Sequence, residues 1–145
     1  MIKEKNRFVY YYKNECPHCF NNIEYPLLGD FIYGELIFQT TDAQQFALAV
    51  LIDNVTFKFI CDFLKTFKNK NADPQEILAR VADPLNDMEF ITDIICPICR
   101  HKQRNYIDNF RKRLQEIPLV TWDNFENISE EDKLELISEI ITGKV

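Results

Sequence analysis

The fold class this sequence predicts is α+β: a pair of cysteine knuckles on short strands, a long helical insertion between them, and helices closing the chain. Three observations predict it. R7-F-V-Y-Y-Y12 runs into C16-P-H-C19, a stretch free of Gly and Pro extends from Ala43 to Lys70, and a second C-P-x-C stands at C96-P-I-C99. At 145 residues the chain suffices for one domain with its own core. Twelve Phe, six Tyr and one Trp supply the bulk for that core. The expected division of this single domain, 1–145, is a first knuckle with strands (1–40) and a helical insertion (41–87). A second knuckle with a basic helix (88–117) and an acidic C-terminal helical segment (118–145) complete it.

Each element has its own signal. Arg7–Tyr12 is aromatic and β-branched, as strands are. N21-N-I-E-Y-P26 is a poor helix start, and a second extended segment is expected around 32–40, after a turn at Gly29-Asp30. T41-D-A-Q-Q45 has the form of a capping box, with Thr41 or Asp42 as cap. Phe46, Ala49, Val50, Phe57, Ile60, Cys61, Leu64 and Phe67 then fall near helical spacing, which predicts one long helix or two broken near Asp53-Asn54. D73-P-Q-E76 starts a further helix, with Asp as cap and Pro at its first position. M88-E-F-I-T-D-I-I95 reads as an extended approach to the second cysteine pair. Tyr106, Ile107, Phe110, Leu114 and Ile117 keep a helical period, so a basic helix over 103–116 is expected to end before Pro118. S129-E-E-D132 opens the last helix and Gly143 closes it.

Composition narrows the function classes. No run reaches the roughly 18 apolar residues of a membrane helix, and F46-A-L-A-V-L-I52 is stopped by Asp53. M-I-K-E-K-N-R-F lacks the apolar core of a signal peptide, so a cytoplasmic location without membrane attachment is expected. Five cysteines would leave one unpaired in a secreted chain, whereas spaced CxxC pairs in a reducing compartment point to metal or catalysis. There is no P-loop, no Gly-rich phosphate loop and no His-based triad, so neither an enzyme active site nor a small-molecule substrate is expected.

A CxxC turn wraps two sulfurs around one ion, and two such turns complete a tetrahedral thiolate shell that excludes water. Cys16, Cys19, Cys96 and Cys99 are therefore the expected ligands of one structural Zn2+. Pro17 and Pro97 suit the tight turns because their φ is already fixed. The pairs stand 76 residues apart, but loop closure grows only logarithmically with length. These motifs resemble zinc-ribbon and treble-clef domains. A ribbon suits V9-Y-Y-Y-K-N-E-C-P-H-C19 followed by an extended segment, and a treble clef suits C96-P-I-C99-R-H-K-Q opening a helix. That resemblance implies a folding role for the metal and no particular activity.

The first motif also resembles the thioredoxin and glutaredoxin superfamily, where a strand ends just before a CPxC at a helix N-terminus. The resemblance implies Cys16 as attacking thiolate, Cys19 as resolving cysteine and Pro118 as a cis proline beside them. N21-N-I-E-Y-P26 supplies the required helix poorly, and the second CPIC has no part in such a fold. Thiol–disulfide oxidoreduction is the alternative function.

The chain carries a net charge of −6, yet residues 100–113 hold six Lys/Arg against one Asp. Arg100, Lys102, Arg104, Arg111, Lys112 and Arg113 follow the second knuckle directly and are the candidate contacts for nucleic acid or an acidic protein partner. A solvated helix face, or pairing with the acidic C-terminal segment, accounts for the same charges. Tyr106 and Phe110 fit a buried stripe as well as a base-stacking role. His18 reads as an exposed turn residue, His101 as a solvated member of the basic stretch, Cys61 as a buried small hydrophobe, and W122-D-N-F125 as an anchor for the tail. The expected role is a zinc-stabilised binding, regulatory or adaptor module.

Overall fold

Strand β1 (Asn6–Glu15) forms the spine of the cysteine-bearing half. The structure is a computed structural model and describes residues 6–28, 34–66, 72–103 and 111–143. β1 pairs antiparallel with β2 (Asn22–Pro26) on one side and β6 (Arg111–Pro118) on the other. A second antiparallel sheet has β3 (Glu35–Thr40) between β4 (Phe46–Val50) and the two-residue β5 (Phe90–Ile91). Four helices complete the described residues: α1 (Val55–Thr66), α2 (Pro74–Arg80), α3 (Asp123–Glu126) and α4 (Glu130–Thr142). The class is α+β, and no helix among the described residues is long and apolar enough to cross a membrane.

The β3–β4 sheet is the middle layer. Ala47 and Ala49 of β4 face Ile60, Leu78, Trp122, Phe125 and Ile137 of the helical layer. Phe46 and Leu48 of the same strand face Val9, Tyr11, Tyr25 and Ile117 of the first sheet. Both faces of β4 are covered, so its sequence loses the apolar–polar alternation of a half-exposed strand.

That loss explains the first correction. Residues 43–54 are not helical: 46–50 is a strand, and the helix begins only at Val55. The helix cap expected at Thr41 or Asp42 is a hairpin turn, in which the Asp42 carboxylate accepts from Thr40 Oγ1 (2.6 Å) and the Gln44 backbone (3.1 Å). Asn54 caps instead, its Oδ1 accepting from the Phe57 amide at 2.9 Å. Asp73 caps α2 and Ser129 caps α4, as their sequences predict, with Gly143 left-handed at the C-terminus of α4.

The second correction concerns the basic segment. Residues 111–118 form strand β6, because β1 offers a long aromatic edge and the segment pairs with it from Asn6↔Pro118 to Tyr12↔Arg111. Residues 113–116 are all exposed, so no buried stripe exists there to hold a helix. Tyr106, Ile107 and Phe110 lie outside the described residues. Asn22–Pro26, a poor helix start by sequence, is strand β2 and returns directly along β1 after the first knuckle.

Candidate metal centre

Cys16 follows the last residue of β1, and its turn feeds β2. The Cys16 amide donates to Asn21 O (2.9 Å), and the Phe20 amide donates to Cys16 O (2.9 Å). The second motif repeats this pattern five and four residues on: Cys96 N to His101 O (2.8 Å) and Arg100 N to Cys96 O (2.8 Å). The residue four after the first cysteine is left-handed in both, Phe20 at φ 64 and Arg100 at φ 66. One turn is built twice, and an antiparallel bridge Ile95↔Lys102 flanks the second copy. Residues 100–103 therefore do not open a helix, as a treble clef would require.

The two knuckles face each other. All four sulfurs lie within 4.8 Å of one another, with Cys16 Sγ 3.6 Å from Cys99 Sγ and Cys19 Sγ 3.7 Å from Cys96 Sγ. These separations far exceed the roughly 2.05 Å of a disulfide. Cys16 and Cys96 are fully buried, while Cys19 and Cys99 are half-buried. Such a set of soft donors, closed on one side and reachable on the other, can hold a metal ion.

The electrostatics point the same way. Burial opposes ionisation of Cys16, but the Cys19 and His18 backbone amides, the Gln103 side chain and the Cys99 thiol hold it down at about 6. Asn21, through its backbone and side-chain amides, lowers the Cys19 thiol. Burial pushes Cys99 up to about 12, and its three sulfur neighbours add to the rise against the His101 amide. Four thiolates cannot share this space without a central positive charge.

Two buried glutamines hold the second knuckle in place. Gln39 is fully buried on β3; its Oε1 accepts from Ile95 N (2.7 Å) and its Nε2 donates to Ile95 O (3.1 Å). Its side chain thus imitates a neighbouring strand. Gln103 donates to His101 O (2.8 Å) and to Cys16 Sγ (3.4 Å). Neither residue carries a sequence pattern that marks it; Gln103 stands simply as an uncharged residue between Lys102 and Arg104. His18 and His101 are exposed, as expected, and they stack across the two turns with centroids 4.9 Å apart and planes at 7°.

Three of the basic residues have described side-chain contacts. Arg100 Nη2 donates to Thr41 O (2.8 Å), Lys102 pairs with Asp93 (3.3 Å), and Arg113 pairs with Glu24 (3.3 Å) while lying 4.6 Å over the Tyr11 ring. Arg111 stands opposite Tyr12, and the strand register skips Lys112. Arg104 lies outside the described residues. The features of a redox CPxC are also displaced. Cys16 is followed by a turn and a strand rather than a helix, and no peptide bond among the described residues is cis. Pro118 pairs with Asn6, at the far end of β1 from Cys16, a span of roughly 30 Å for an extended strand. No family model, curated protein or solved structure matches this chain.

Proposed function

We propose that Cys16, Cys19, Cys96 and Cys99 bind one structural Zn2+ as thiolates, and that the protein is a zinc-stabilised binding or adaptor module. One observation carries the metal reading. Four sulfurs about 2.3 Å from a central zinc stand about 3.8 Å apart in a regular tetrahedron; Cys16–Cys99 and Cys19–Cys96 are 3.6 and 3.7 Å apart here, and all four sulfurs lie within 4.8 Å of one another. Both motifs form hairpin knuckles, as in a zinc ribbon, and four thiolates leave no open position for catalysis.

The binding role draws on the surface around this centre. Phe20 is 69% exposed and Ile98 60% exposed at the tips of the two knuckles. Phe8, Tyr10 and Leu114 also face water on neighbouring strands of the first sheet, with Tyr10 directly opposite Leu114. Large apolar side chains presented by a rigid frame are characteristic of interaction surfaces. The Arg111-Lys112-Arg113 run adds a site for polyanions, so the partner is nucleic acid or an acidic protein in a cytoplasmic setting.

Elemental analysis of the purified protein tests the metal, with one zinc per chain expected; a metal-free protein with disulfide reductase activity lost in Cys16→Ser would replace this reading with the redox one. Fluorescence anisotropy with labelled oligonucleotides tests the nucleic-acid branch. Binding should weaken with salt and with neutralisation of Arg111, Lys112 and Arg113, while no binding at low salt leaves the protein partner.

A further inference from the structure

We propose that Gln103 is a positioning residue of the metal cage: it reaches from the second knuckle to Cys16 of the first and fixes that sulfur toward the shared ion. The inference rests on the zinc reading above and concerns how the two halves of the shell are held together.

Gln103 sits within a charged run, beside the exposed His101 and Lys102, yet it is itself buried. Its backbone amide donates to Ile94 O (2.7 Å), which pins the residue next to the knuckle it follows. The side-chain amide has two hydrogens. One goes to His101 O and the other to Cys16 Sγ, 87 positions away in sequence. The remaining N–H groups directed at sulfur among the described residues come from the sulfur's own knuckle. Asn21 Nδ2 donates to Cys19 Sγ (3.4 Å) and Ile98 N to Cys96 Sγ (3.4 Å). Apart from the thiols themselves, Gln103 is the side chain among the described residues that donates from one knuckle to a sulfur of the other.

The crossing has a chemical consequence. A cage of two CxxC turns loses affinity when its halves must be brought together by the ion alone, because the ordering then opposes binding. A neutral amide donor holds both halves without adding a charge that would compete with the metal. It also withdraws electron density from the Cys16 thiolate. Hydrogen-bond partners behind metal ligands typically contribute 10–100-fold in affinity.

The test compares wild type with Gln103→Met, which keeps length and volume but donates nothing, and Gln103→Glu, which places a carboxylate against the sulfur. Zinc affinity is measured by chelator competition, and the thiolate-to-metal charge-transfer band is recorded with cobalt(II). The expected result is a 10–100-fold weaker affinity for Gln103→Met, a larger loss for Gln103→Glu, and a charge-transfer band moved to lower energy in Gln103→Met. A folded Gln103→Met with wild-type affinity and a superimposable cobalt spectrum overturns the proposal. Should Gln103→Met not fold, the wild type decides: NMR-active cadmium in the site must show scalar coupling to the Gln103 side-chain amide protons, and an absent coupling overturns it. Wild type that binds no zinc, cobalt or cadmium removes the metal reading itself, an outcome distinct from a wild type that binds while Gln103→Met binds equally well.

Discussion

The helical core and the cysteine core share the middle sheet but are held by different chemistry. On one side Phe38, Ile60, Leu78, Phe125 and Ile137 exclude water with apolar surface, and the helix ends are satisfied by Asn54, Asp73 and Ser129. On the other, Val9, Tyr11, Tyr25 and Ile94 pack around two buried thiols, with Gln39 and Gln103 reaching into the same region. None of the four clustered cysteines belongs to the helical cluster. The half with the cysteine cluster adds buried glutamine contacts to its packing. The helical half relies on volume, caps and hydrogen bonds such as Trp122 Nε1 to Leu78 O and Thr56 Oγ1 to Glu126. Metal dependence should therefore be local to one side of the middle sheet.

Removing the metal tests this most severely. Structural zinc sites contribute on the order of 10 kcal/mol at neutral pH, so chelation or Cys96→Ser should open the cysteine core. The single tryptophan, Trp122, lies in the helical core with its Nε1 donating to Leu78 O at 2.9 Å. Chelation should accelerate amide exchange in β1 and β2 while Trp122 emission stays native. Simultaneous loss of both signals would make the two cores one cooperative unit. Since thiolates bind zinc and thiols do not, acidification should release the ion in the same order. The converse experiment is Leu78→Ala, which empties a fully buried site in the helical core and should cost about 2–5 kcal/mol. Zinc affinity of the folded Leu78→Ala protein, measured by competition, should match wild type.

The comparison also explains what the sequence could reveal. Caps and knuckles depend on residues a few positions apart, so Asp73-Pro74, Ser129 with Gly143, and both C-P-x-C turns were legible. The clustering of four cysteines followed from metal chemistry despite the long insertion. Strand β4 was not legible, because F46-A-L-A-V50 is buried on both faces and carries neither period. Strand β6 depends on a partner over a hundred positions earlier, and its exposed middle leaves no pattern to read. Gln39 and Gln103 could be recognised only once Ile95 and Cys16 were seen beside them.

A smaller effect separates clamp from cage. Gln39→Leu removes the acceptor for Ile95 N and the donor to Ile95 O. Leaving such half-buried groups unpaired costs about 1 kcal/mol each, at the lower end of the range for buried ones. Urea unfolding should register this loss, and amide exchange should place it in β3, β5 and the second knuckle rather than in α1 or α4. A loss spread evenly over both cores would remove the distinction between them.

The smallest predicted effect lies at the link from the end of α2 to the C-terminal helices. Asp83 accepts from Thr121 Oγ1 (2.7 Å), Asp123 N (2.8 Å) and Asn124 N (3.0 Å), so one carboxylate caps α3 from a distant part of the chain. Burial opposes its ionisation, but these three donors outweigh burial and leave the carboxyl below its ordinary value. A depressed folded value means that the stabilisation is complete above the unfolded pKa, about 3.9, and fades as pH falls through the lower folded value. Asp83→Ala should therefore destabilise the protein by about 1 kcal/mol at neutral pH, as lost helix caps do. The gap from wild type should narrow as pH falls below 4, because protonation removes the wild type's own advantage. Zinc affinity at neutral pH should not change, since Asp83 joins only segments on the helical side. An altered affinity in Asp83→Ala would show that the helical core reaches the cysteine cage through the middle sheet.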